Sequence, residues 1–126
     1  MKKLLVLVSV CTALFAFTFI DNVPNIVNAL RMGNAEEVSR YFDNFIDLKL
    51  LERDEIKNMS KNQAGFAFQS FFRENGIRTF ELTSQREMGG VMYLAGRLIN
   101  SGRGYNITIL LKNKDGGHQI ITVRIN

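Results

Sequence analysis

Cysteine is nearly missing from this sequence. The single one, Cys11, sits inside an apolar run near the start, so residues 21 to 126 can form no disulfide and offer no thiol chemistry. Histidine is as scarce. With one imidazole and no thiol in that region, a zinc or copper site built from clustered side chains is excluded. His118 would have to serve any nucleophilic triad alone, with no serine in a recognisable elbow. It reads as an exposed residue at a strand end rather than a lone general base. Charge of one sign is also in short supply. The formal net charge is +4 and falls to +2 without Lys2 and Lys3, because residues 1 to 20 contain no acid. So small a surplus lacks the clustered basic footprint of a nucleic-acid binder. No cofactor, metal or nucleic acid is expected. There is no internal repeat, low-complexity tract or interdomain linker, and the length suits one core rather than two.

What is present begins with Lys2 and Lys3, followed by residues 4 to 20 without a charge, the pattern of an export signal. At about 1.5 Å per residue the run reaches about 25 Å, short of a hydrocarbon core, so a retained anchor is the lesser reading. The expected organisation is a leader over residues 1 to 20 and one exported domain over 21 to 126. Membrane contact would come only through an uncleaved leader.

Pro24, then Ile26, Val27, Ala29 and Leu30, predict a short helix closed by Gly33. Asn34 with Glu37 forms a capping box for a second, with Ala35, Val38, Tyr41 and Phe42 as its buried stripe and Asp43 and Asn44 as its break. Residues 45 to 51 read as the first strand, and the charged residues 52 to 58 as a turn with a short edge strand through Ile56. Ser60 with Gln63 caps a longer helix bearing Ala64, Ala67, Phe68, Phe71 and Phe72 on one side and Phe66 on the other.

From Ile77 onward the apolar residues recur at every second position. Phe80 and Leu82 belong to one strand, Gly89 and Gly90 turn the chain, and residues 91 to 99 form the next. Gly102, Arg103 and Gly104 briefly resemble a phosphate loop, but no helix start follows, so they read as a turn. Tyr105, Ile107, Ile109 and Leu111 share a face, residues 115 to 117 form a hairpin loop, and Ile121, Val123 and Ile125 line the last strand. The fold class is α+β: a curved antiparallel sheet of about four to five strands with two to three helices packed on one face.

This order of elements resembles the nuclear transport factor 2-like (cystatin-like, SnoaL-like) superfamily. More closely it resembles small secreted domains of unknown function from Bacteroidetes. The resemblance rests on Gly33, Asn34 and Ala35 with Tyr41 and Phe42; on Phe71 and Phe72; on Tyr93, Leu94, Ala95 and Gly96 with Leu98; on Leu110, Leu111 and Lys112; and on Val123, Arg124 and Ile125. It covers residues 22 to 126 and implies a cone-shaped fold in a bacterial periplasm or at a cell surface. The related ketosteroid isomerases work with a carboxylate base in the apolar mouth of the cone. If a pocket exists here, Tyr41, Asp47 and Phe68 would line it, but their spacing does not match the isomerase pattern and no catalytic role transfers to them.

One polar constellation remains. If Met92, Leu94 and Leu98 face the helices, then Tyr93, Arg97, Thr122 and Arg124 face away from them. An aromatic ring beside Arg97 and Arg124 suits recognition of a carboxylate, a phosphate or a partner; the plainer reading is a solvated outer face. Residues 91 to 99 are apolar on both sides, which suits burial on both sides and leaves a homodimer through the open face as one association and a small-molecule or protein ligand as another. The expected function is an exported, non-catalytic binding or interaction module. An isomerase- or cyclase-like enzyme for a small apolar substrate and a self-associating structural protein are the alternatives.

Overall fold

The computed structural model describes residues 22 to 126; the leader reading, with Cys11, lies outside the described residues. Pro24 stands in the first turn of α1 (Val23–Arg31), where a missing N–H removes no helical bond. Ile26, Val27, Ala29 and Leu30 form the buried stripe. Gly33 then adopts φ +66, a left-handed value that glycine takes without steric cost. A Cβ there would also lie 2.9 Å from the Arg78 carbonyl oxygen, so conformation and space both require glycine. The Asn34 side chain accepts the Glu37 N–H at 3.1 Å and opens α2 (Ala35–Ser39).

Helix α2 is shorter than its sequence suggests. It ends at Ser39, whose hydroxyl donates back to the Glu36 carbonyl at 2.7 Å. Tyr41 therefore lies in a turn, and Phe42 opens β1 (Phe42–Leu50) instead of continuing a helical stripe. Asp43 and Asn44 belong to that strand and do not break a helix. The reason is tertiary: Asp43 is drawn onto Lys112 and Lys114, and the Tyr41 carbonyl accepts the Ile120 N–H at 2.7 Å. These long-range partners override a local sequence that could propagate a helix.

The rest follows the expected order. After β2 (Ile56–Ser60) the Ser60 hydroxyl accepts the Gln63 N–H at 3.3 Å and starts α3 (Lys61–Glu74), which buries Ala64, Phe68, Phe71 and Phe72. Strands β3 (Thr79–Met88), β4 (Val91–Ile99), β5 (Gly104–Lys114) and β6 (Gly117–Ile125) complete the chain. Asp115 and Gly116 take φ 51 and 81, the two-residue turn whose twist matches that of the flanking strands.

The sheet order is β2-β1-β6-β5-β4-β3. Every neighbouring pair is antiparallel except β1 and β6, which run parallel. The α+β layout with helices on one face stands as expected, with six strands instead of four or five because the β1–β2 hairpin pairs along both its members. Irregular register between Leu82 and Ser84 and between Leu110 and Leu111 bends the sheet, as bulges do. The second bulge moves one side chain. Leu110 pairs with Thr122 and Leu111 with Ile120, so Ile121 is the extra residue, and Ile120 instead of Ile121 joins Val123 and Ile125 in the core. A slip of one residue exchanges sheet faces.

Phenylalanine fills the space between helices and sheet. The Phe42 and Phe68 rings meet edge-on at 5.6 Å, Phe68 and Phe72 at 4.6 Å, and Phe71 and Tyr105 edge-on at 5.5 Å. Leu94, Leu98, Ile107, Ile109 and Leu111 close the layer from the sheet side. Each such side chain contributes roughly 1.5–3 kcal/mol by leaving water.

Candidate functional site

The residues singled out from sequence fall in two places. Met92, Leu94 and Leu98 are buried while Tyr93 and Arg97 are exposed, so Tyr93, Arg97 and Arg124 do share the outer sheet face. They do not converge. Arg124 lies two strands from Ala95, through Thr108, and its Nε donates to Glu55 Oε1 at 2.8 Å. The Arg97 guanidinium lies across Gly104, where a Cβ would stand 3.0 Å from its Cζ, and Arg97 is in register with Glu81.

Tyr41, Asp47 and Phe68 do not line one pocket. Phe68 is wholly buried among other rings, and Tyr41 packs at the edge of the core. Asp47 lies between the core residues Ile46 and Leu48 on β1 and so points to the opposite face, where its Oδ1 accepts the Asn58 N–H at 3.0 Å. His118 is half-buried rather than exposed. Its backbone is clamped by the Asn22 side-chain amide, which accepts the His118 N–H and donates to the His118 carbonyl, each at 2.8 Å.

One carboxylate is buried against the sheet. Asp43 binds Lys112 Nζ at 2.8 Å and Lys114 Nζ at 3.0 Å. The hydrogen bond from Lys112 outweighs the cost of burial, and with Lys114 it holds the Asp43 carboxyl down from the usual 3.8 to about 2. A group ionised so far below neutral pH cannot exchange a proton usefully there, so Asp43 ties β1 to the β5–β6 hairpin. Among the described residues no group of three His, Cys, Asp or Glu side chains could hold a metal ion.

A concavity lies at one end of the sheet, and the topology explains it. Parallel pairing sets the end of β1 beside the end of β6, with Lys49 opposite Arg124 and Leu50 opposite Ile125. Antiparallel pairing brings the start of β5 to the same place, where Asn106 and Asn126 exchange backbone hydrogen bonds at 2.8 and 3.0 Å. The C-terminal turn of α3 abuts this junction through Phe71 on Tyr105. Leu51, at φ 54, then takes the chain off the sheet while its N–H still reaches the Ile125 carbonyl at 2.7 Å. The result is a cleft of about 690 Å³ with Lys49, Arg53 and Arg103 against one acidic side chain, Glu52, and with Leu51, Tyr105 and Asn126 among its other lining residues.

Arg103 is held in place. Its backbone N–H and that of Gly102 donate to Asn100 Oδ1 at 2.7 and 3.0 Å, and its guanidinium sits 5.2 Å above the Tyr105 ring. Tyr105 in turn donates its hydroxyl to Asn75 Oδ1 at 3.2 Å. Among the described residues neither the Arg53 nor the Arg103 guanidinium has an ion-pair partner. Leu51 and Arg53 also line a second groove of about 450 Å³, together with Leu50, Phe66, Ala67 and Phe71 and the polar Ser70, Glu74 and Asn75.

Apart from Phe66, no local feature of the sequence marks this site. Arg53 belongs to a charged turn and Arg103 to a glycine-flanked one, and each alone reads as solvated. Only the parallel crossover between β1 and β6, which no short stretch encodes, brings them to one rim. Phe66, set apart by its place opposite the α3 stripe, was the one visible hint.

The comparisons with known proteins agree with this architecture. No curated protein matches the chain. A DUF4783 protein from Bacteroides ovatus is 23% identical, with a TM-score of 0.71 over 79% of this chain and 89% of its own. One from Bacteroides uniformis is 20% identical, with a TM-score of 0.75 over 83% and 96%. An NTF2-like protein of unknown function from Cytophaga hutchinsonii, 10% identical, superposes with a TM-score of 0.56 over 82% of this chain and 84% of its own. At such identities these likenesses concern the fold. The family model described as "Domain of unknown function (DUF4783)" matches residues 23–126, from the first turn of α1 to the residue after β6, and the chain therefore belongs to the DUF4783 family, with an NTF2-like fold.

Proposed function

We propose that this domain is an exported, non-catalytic binding module that takes a small anionic ligand at the end of its sheet. The observation that carries the reading is the cleft in which Arg53 and Arg103, without ion-pair partners among the described residues, stand over an apolar floor of Leu51 and Tyr105. Guanidinium groups beside apolar surface favour an incoming oxyanion. The volume is of the size that holds small-molecule ligands. A phenylalanine-filled interior and a carboxylate locked between two lysines favour binding over turnover. Export rests on the charge-free residues 4 to 20.

The test is a nitrogen-15 NMR titration of the domain with a set of small anionic and neutral fragments. Binding at the cleft moves the amides of Leu51, Arg53, Gly102 and Arg103. Shifts confined to the core amides of Phe68 and Phe72, or no shifts at millimolar fragment, would end the reading.

A second reading is self-association through the outer sheet face. Val91, Leu110 and Ile121 are partly exposed and do not pack against the core, while Tyr93 stays 37% exposed beside them. Native mass spectrometry at rising concentration would show a dimer that Tyr93→Glu removes; a monomer throughout would exclude it.

A further inference from the structure

Resting on the cleft reading above, we infer that the ligand is an amphipathic monocarboxylate, with its head on Arg53 and Arg103 and its apolar body in the groove beyond Leu51. Three features point to this class. First, the two concavities are contiguous. Leu51 and Arg53 line both, so a molecule leaving the basic cleft passes over the Leu51 side chain into the groove walled by Leu50, Phe66 and Phe71.

Second, the two halves differ in charge and in the carbon they offer. The cleft presents three cations against the Glu52 side chain, whereas the groove shares Arg53 and, beside Ser70, Glu74 and Asn75, adds the carbon of Leu50, Phe66, Ala67 and Phe71. Phe66 is 70% exposed and lies on the helix side opposite the core stripe, so its ring adds nothing to the interior. An apolar chain laid in the groove would bury part of that ring, and the gain scales with the apolar area removed from water.

Third, the head site suits one negative charge better than two. Lys49 already gives its ammonium to the Leu51 carbonyl at 2.5 Å and to Asn126 Oδ1 at 3.3 Å, which leaves the two guanidinium groups as open donors. Glu52 on the cleft wall and Glu74 in the groove would repel a dianion more than a monoanion. A planar guanidinium matches a planar carboxylate through two parallel N–H···O bonds. Arg103 is the better placed of the pair, because the Tyr105 ring and the Asn100 turn restrict it before any ligand arrives, and a donor ordered in advance loses less freedom on binding.

The experiment is isothermal titration calorimetry of the domain with octanoate, 1-octanol, acetate and octyl phosphate, repeated on Arg103→Gln and Phe66→Ser. Octanoate is expected to bind, with acetate and octanol each weaker by about tenfold or more, since each lacks one half of the contact. Arg103→Gln should weaken octanoate by about tenfold and leave octanol unchanged, while Phe66→Ser should weaken both. Both positions are exposed, and an unaltered thermal melt confirms that the variants fold. Octyl phosphate tighter than octanoate overturns the ligand class while the cleft reading stands, and octanol as tight as octanoate overturns both, because the guanidinium groups would then contribute nothing. Octanoate binding that Arg103→Gln and Phe66→Ser leave untouched places the ligand elsewhere and overturns both.

Discussion

Adding one methyl group at Gly96 should be far more damaging than adding one at Gly104, although both glycines lie on paired strands and both would clash. Gly96 is buried on β4 opposite Leu82. A Cβ there would fall inside the van der Waals envelope of the Glu81 carbonyl oxygen and 2.5 Å from the Phe80 ring. Neither neighbour can yield, because the carbonyl belongs to β3 itself and Phe80 is buried in the core. Relief requires β3 to move away from β4 next to the Leu82–Ser84 bulge. Overpacking of this kind costs about 1–3 kcal/mol, and one ladder hydrogen bond stretched adds about 1 kcal/mol, for a total of about 2–4 kcal/mol in Gly96→Ala.

At Gly104 the obstruction is the guanidinium of Arg97, the free end of a flexible side chain on an exposed face. It can swing into water. Gly104→Ala should therefore stay within about 0.5 kcal/mol of the parent, as exposed substitutions usually do. Urea denaturation of the three proteins, followed by far-ultraviolet circular dichroism, measures both differences. A Gly96→Ala variant within 1 kcal/mol of the parent, on the scale of an ordinary substitution, would refute the argument that Phe80 lying on a bare backbone fixes the β3–β4 pairing.

Two further predictions concern the core and its charged lock. Phe68→Ala should cost about 3–5 kcal/mol, the range for truncating a buried ring, whereas Phe66→Ala on the same helix should leave the urea midpoint within the scatter of surface substitutions. The Asp43 carboxyl is lowered in the folded state, so its contribution is fully present above the unfolded value near 3.8 and is lost as pH falls toward about 2. The full shift corresponds to roughly 2.5 kcal/mol, and the exposure of Lys112 and Lys114, 41% and 36%, screens this to about 1–2 kcal/mol. Asp43→Asn should therefore flatten the loss of stability between pH 4 and pH 2 in acid-titrated melts, and an unchanged slope would remove Asp43 as the tie between β1 and the β5–β6 hairpin.

Local chemistry made most of the elements legible. The Asn34 and Ser60 caps are formed as their spacing implies, Gly33 and Gly76 end helices with positive φ, and the Gly89–Gly90 and Asp115–Gly116 turns separate strands whose alternation is plain. The departures lie where a distant partner decides. Phe42 and Asp43 follow a helix whose local pattern runs on to Phe42, and their strand state depends on Lys112, Lys114 and Ile120, about 70 residues or more away. Ile121 changes face because of a bulge that alternation cannot announce. The outer-face position of Tyr93, Arg97 and Arg124 was readable from period alone, but the engagement of Arg124 by Glu55 was not. Arg53 and Arg103 are neighbours on one rim only through the β1–β6 crossover.

A crystal structure of the domain grown with octanoate tests the central claim most directly. The account predicts a carboxylate about 3 Å from the Arg103 or Arg53 guanidinium, with its chain over Leu51 toward Phe66. Octanoate lodged among Phe42, Phe68 and Phe72, or lying on the outer sheet face beside Tyr93, would contradict it.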